Sequence, residues 1–207
     1  MTDKKYKDSA KIVHNSERNV QSKTDLATSL NNLPEQLKRP KAFTFWRYDS
    51  DQKKPPVNAK GLKHNVHQTN NLISFRQAIS QYNPKIHQGI GFGLKDSGFV
   101  GVDLDDCLRI KNDISSLKDW AKPIVNRIRG NYGEISPSGY GLKFWIEGQK
   151  PNWLKANRIQ VEPGEVEFYD RQYFTLTGNQ IEQLDPRQNQ AQQIKNLCEY
   201  LRAYVKP

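Results

Sequence analysis

The chain has 207 residues, with 32 Lys plus Arg against 22 Asp plus Glu, and a formal charge of +10 at pH 7. Hydrophobic residues make up 35%, low for a compact domain, so a solvated tail is expected beside a core built on four Trp, nine Tyr and eight Phe. No window reaches the ~18 apolar residues of a membrane span, the N-terminus lacks the apolar stretch of a secretory signal, and Cys107 and Cys198 make neither a disulfide framework nor a cysteine zinc cluster.

A reducing cytoplasm is therefore the expected compartment. The positive charge fits either a soluble surface or a polyanionic partner, because excess Lys and Arg favour contact with phosphates.

Residues 1–32 are polar and poor in large hydrophobes, apart from a weak helical hint at Val20, Leu26 and Leu30. They are expected to form a mobile or loosely docked tail. Order is expected from Leu33-Pro34. Residues 42–48 are aromatic and β-prone, which predicts a strand, and 49–63 read as a basic, proline-broken loop. Asn70 or Asn71 can cap a helix that carries Leu72, Phe75, Ile79 and Tyr82 on one face. His64 and His67 lack the partners of a metal set and read as surface residues.

A glycine-rich strand is expected over 89–94, then a turn, then a return strand over 99–104. Helical spacing of Leu117, Trp120, Ala121, Ile124, Val125 and Ile128 predicts a helix over 116–129, kinked at Pro123. Short strands follow over 133–136, 141–147, 164–169 and 173–177. A last amphipathic helix is expected over 188–204. The mixture predicts an α+β fold with antiparallel pairing. The expected divisions are a tail (1–32), a principal domain (33–182) and a C-terminal segment (183–207) whose helix packs on that domain.

Three segments carry chemistry. In Val100-Gly101-Val102-Asp103-Leu104-Asp105, alternation puts Asp103 and Asp105 on one strand face, with Gly101 leaving room beside them. Two such close carboxylates repel unless a cation lies between them, and a hard divalent ion with oxygen ligands resolves the conflict. An edge strand with two solvated acids reads the same from this segment alone. In Ser136-Pro137-Ser138-Gly139-Tyr140-Gly141-Leu142-Lys143, a Ser/Gly turn enters a strand whose Lys143 points away from the apolar face. Such a turn can offer donors to phosphate, with the lysine as a point charge, although Gly/Ser turns are also common without any ligand. In 164–178, Val166 and Phe168 alternate with Glu165, Glu167 and Tyr169, so Glu167 or Glu165 becomes a third acid if this strand neighbours the first; otherwise it is a solvated face.

Taken in order, GVDLDD, SPSGYGLKFW and GEVEFYDRQYFTLTG resemble the primase–polymerase domain of the archaeo-eukaryotic primase superfamily, in the form found in phage and plasmid replication proteins. The resemblance extends over about residues 33–178. It implies a two-part fold in which an N-terminal unit and an RRM-like sheet form a cleft. It implies that Asp103, Asp105 and Glu167 bind two Mg²⁺ or Mn²⁺ ions, and that Ser136, Ser138, Gly139, Gly141 and Lys143 bind the nucleotide. Lys143 stands where many members have histidine, and Gln172 stands where many have arginine, with Arg171 one step earlier. Arg47, Lys53, Lys54 and Arg171 become candidate DNA contacts.

The implied activity is DNA primase and polymerase: metal-dependent, template-directed nucleotidyl transfer that makes or extends primers. Single-stranded DNA or primer–template and NTP or dNTP are the implied partners, and a replicative helicase on a separate chain or in a missing region is a further one. A catalytically weakened DNA-binding initiation module, or a metal-dependent nuclease, would use the same cleft.

Overall fold

In the computed structural model, residues 22–181 and 190–205 are described. The chain is α+β and builds two antiparallel sheets. Helix α1 (Lys23–Asn31) is capped by the Ser22 hydroxyl, which accepts from the Asp25 amide at 3.1 Å. Its Leu26 and Leu30 are buried. This corrects the expectation of a loose tail for that stretch, whose two leucines lie one turn apart and complete a core; residues 1–21 lie outside the described residues.

The short helix α2 (Glu35–Lys38) leads to β1 (Phe43–Trp46), which pairs with β2 (Pro56–Val57) and β3 (Gly89–Gly93). Between them lies α3 (Phe75–Gln81), held by a Ser74–Gln77 capping box. Ser74 therefore takes the place expected of Asn70 or Asn71, which fall in a preceding 3₁₀ turn. His67 is exposed as expected, whereas His64 is half-buried, its Nε2 meeting the buried Thr44 hydroxyl at 2.6 Å.

The second sheet begins with β4 (Phe99–Leu104) and receives β5 (Tyr132–Ile135), β6 (Leu142–Glu147), β7 (Arg158–Val161) and β8 (Gly164–Tyr169) in the order β5-β6-β4-β8-β7. The chain then returns to the first sheet through β9 (Tyr173–Leu176), beside β3. Helix α4 (Lys122–Ile128) is shorter than its apolar spacing predicts. Pro123 occupies its first turn, where a missing N–H costs nothing, so it starts the helix rather than kinking it. Helix α5 (Gln190–Arg202) packs against α4 and β6. Residues 183–189, also assigned to the C-terminal segment, lie outside the described residues.

Two cores result. One packs Leu26, Leu30, Phe43, Phe45, Ile90 and Phe92 around the first sheet. The other packs Val100, Val102, Leu104, Leu142, Phe144 and Ile146 under α4 and α5. Phe174, from β9, joins the sheets by lying edge-on to Trp145, with ring centroids 5.6 Å apart.

A second tie is polar. The fully buried Glu134 carboxylate on β5 accepts from the amides of Thr177 (2.8 Å) and Gly178 (3.1 Å) and from the Tyr132 hydroxyl (3.0 Å). It thereby fastens the end of β9 to the second sheet. Burial pushes its carboxyl up to about 7 against the opposing pull of these donors. The folded-state value lies above the ordinary 4.5, so the stabilisation from protonation is fully present below pH 4.5 and is lost as pH rises through about 7. Glu134→Ala, which strands two amide donors, is expected to cost about 2–4 kcal/mol in urea denaturation. Glu134→Gln keeps the shape without the ionisation. Its deficit relative to wild type should shrink between pH 4.5 and 7; a constant deficit would contradict the assigned titration.

Candidate functional site

The register of the second sheet sets Glu134, Lys143, Asp103, Glu167 and Arg158 side by side, one from each strand. The i, i+2 rule puts them on the face opposite Val102 and Leu104, toward the first sheet. Asp103 is 6% exposed. Its Oδ2 forms a short contact with Lys143 Nζ, and its buried Oδ1 has no hydrogen-bond partner among the described residues. Glu167 Oε1 accepts from Arg158 Nε at 2.7 Å. Asp105 lies just beyond the end of β4 and is exposed.

The three acids converge: one carboxylate oxygen from each of Asp103, Asp105 and Glu167 lies within 4.8 Å of the other two. Burial raises the Asp103 carboxyl, Lys143 opposes that rise, and Asp105 adds to it. Burial also raises Glu167, with Arg158 opposing and Asp103 adding. An all-oxygen donor set, one buried orphan oxygen and crowded like charges fit a hard divalent cation.

In front of the acids is a cleft of about 260 Å³ between the sheets. Asp103, Lys143, Glu167 and Tyr169 form one wall, and Lys54, Tyr173 and Thr175 come from the other. Lys143 Nζ also lies 4.6 Å from the Phe174 ring centroid. The room expected beside Gly101 is already taken. A Cβ there would lie 2.5 Å from the Phe174 ring, so this glycine admits an aromatic side chain rather than a ligand.

The Ser136–Gly141 turn lies at the Asp105 end of β4. A Cβ on Gly141 would be 2.9 Å from the Leu104 carbonyl. Gly139 adopts φ +80°, a left-handed conformation suited to glycine. The Ser136 amide donates to Gly141 O, Gly139 to Ser136 O and Tyr140 to Ser138 Oγ, so these donors are spent inside the turn. The Ser136 and Ser138 hydroxyls lie 3.0 Å apart. Of the basic candidates, Arg47, Lys53 and Arg171 are exposed, whereas Lys54 is half-buried in the cleft.

Sequence reasoning missed Arg158 and Glu134 as members of this row. Arg158 belongs to a strand absent from the expected elements. Its signal is the alternation Arg158-Ile159-Gln160-Val161 before a Pro163-Gly164 turn, with Ile159 and Val161 buried.

No protein-family model matches the chain. A DNA primase-polymerase of Nitratiruptor phage NrS-1 is 31% identical to it over 147 residues, 69% of this chain. The chain spans about a fifth of that relative's length. Kinship over most of the chain, joined to the α+β fold and the three ordered motifs, supports a primase–polymerase domain of phage type.

Proposed function

We propose that this chain joins nucleotides on a DNA template, making or extending primers. The observation that carries the reading is the convergence of Asp103, Asp105 and Glu167, the first and last of which line the cleft. These acids would hold Mg²⁺ or Mn²⁺, as a pair of ions. When bound, such ions activate a 3′-hydroxyl and stabilise charge on the leaving pyrophosphate. Lys143, next to Asp103, supplies positive charge for the triphosphate, and the Ser136 and Ser138 hydroxyls add donors at the Asp105 end. Gly139 and Gly141 shape that turn. The proposed catalytic domain takes in α1 as well as residues 33–182, because Leu26 and Leu30 complete the first core.

The Lys143–Asp103 pair favours one second reading: a DNA-binding replication module with weak turnover, in which the lysine keeps the acid occupied. Incorporation of labelled nucleotide on single-stranded or primed DNA separates the two. Wild type should incorporate with Mg²⁺ or Mn²⁺. Asp103→Ala with Asp105→Ala should lower incorporation by about 100-fold or more while leaving the circular-dichroism spectrum unchanged. Equal incorporation by the variant would sink the assignment.

Template would be gathered by Arg47, Lys53, Lys54 and Arg171 through phosphate contacts. Replacing each by Gln should weaken DNA binding independently of sequence. Each should also reduce the slope of log affinity against log salt by about 1. An unchanged slope removes that residue from the interface.

A further inference from the structure

The acid cluster is occupied by cations that belong to the chain. Lys143 pairs directly with Asp103, and both side chains are largely buried, at 12% and 8% exposed. The pair is imposed by the sheet, since Asp103 and Lys143 are register partners on β4 and β6. Arg158 plays a similar part for Glu167, but from a side chain 66% exposed, where solvent weakens its hold. Lys143 is therefore the tighter of the two internal counterions.

A divalent cation approaching Asp103 meets an ammonium already on that carboxylate. A triphosphate approaching Lys143 meets an ammonium already held by a carboxylate. Either event requires the same contact to open. Lysine suits such an exchange: its charge is compact, and its four-carbon stem lets the ammonium swing while the strand stays fixed. The Phe174 ring, 4.6 Å from Nζ, offers an electron-rich face along the way.

We infer that Lys143 is a placeholder cation whose transfer from Asp103 to the nucleotide's phosphates couples metal loading to nucleotide loading. The inference rests on the metal and nucleotide reading above. Metal binding at Asp103 releases the lysine for phosphate, and phosphate draws the lysine off and opens Asp103 to metal. By linkage the two effects are equal in size. Without nucleotide the site discriminates against metal; with it, both are held together.

The test measures binding by calorimetry, without turnover, on the 207-residue chain. With Mn²⁺ alone, Lys143→Met should bind the ion at least about 5-fold more tightly than wild type, whereas Lys143→Arg, which keeps a cation on Asp103, should bind no more tightly than wild type. With dATP in EDTA, Asp103→Asn should bind at least about 5-fold more tightly than wild type, because its lysine is free. Asp105→Asn removes the same charge without releasing Lys143 and should gain less. The Asp103→Asn gain should vanish when Lys143→Met is added.

The inference is overturned if Lys143→Met leaves Mn²⁺ affinity unchanged, or if Asp103→Asn gains no more for dATP than Asp105→Asn. Failure of the underlying reading looks different: Mn²⁺ would still bind with wild-type affinity when Asp103→Asn and Asp105→Asn are combined.

Discussion

The register of β4 between β6 and β8 is the constraint on which the site depends. Val100, Val102 and Leu104 are all completely buried beneath α4 and α5. Each side chain of this kind is stabilised by roughly 1.5–3 kcal/mol on leaving water. A slip of one residue would turn all three into the cleft and Asp103 into the core. Apolar demand on one face thus dictates which charged residues meet on the other. The pairing of Asp103 with Lys143 and with Glu167 follows from that registration, not from a search by flexible side chains.

The face that carries the charges is divided along its length. Two residues away from the charged row, Tyr132, Trp145, Gly101 and Tyr169 form a parallel row. Phe174 fills the space above Gly101 and touches Trp145 and Tyr169. Aromatic contact therefore holds the sheets together at this end, while the cleft remains beside it. Glu134 adds a fixed point at the β5 edge by gripping the backbone just after β9. The wall bearing Tyr173 and Thr175 is consequently held on both sides. Its distance from the acids is set by packing.

Much of this arrangement is legible in the sequence wherever the period-2 pattern is long enough. The alternation in 99–104, 141–147 and 164–169 places Asp103, Lys143 and Glu167 on polar faces, and the ordered motifs identify them as one set. It fails where local pattern is short or where the deciding contact is distant. Arg158 lies in a four-residue strand after a polar loop, too short to stand out. Glu134 looks like any acid on an alternating strand, because its partners, the amides of Thr177 and Gly178, are more than forty residues away. Leu26 and Leu30 looked too sparse for a core, since the aromatic residues they join are supplied by strands elsewhere. Gly101 looked like space for a ligand, because no local signal announces that Phe174 will fill it.

The charge balance of the cleft gives the +10 of the whole chain a more definite meaning. Among the residues that line the cleft, the acids Asp103 and Glu167 are matched in number by Lys54 and Lys143. The protein alone therefore presents a nearly neutral pocket within a basic surface. Long-range attraction from Lys and Arg brings a polyanion to the surface, but a neutral pocket adds little local pull for a triphosphate. Divalent cations on the carboxylates would make the same space strongly positive and free the ammonium and guanidinium groups from their acids. Attraction of a polyanion to the outside and the charge inside the pocket then answer to different groups, the first permanent and the second dependent on what the acids hold.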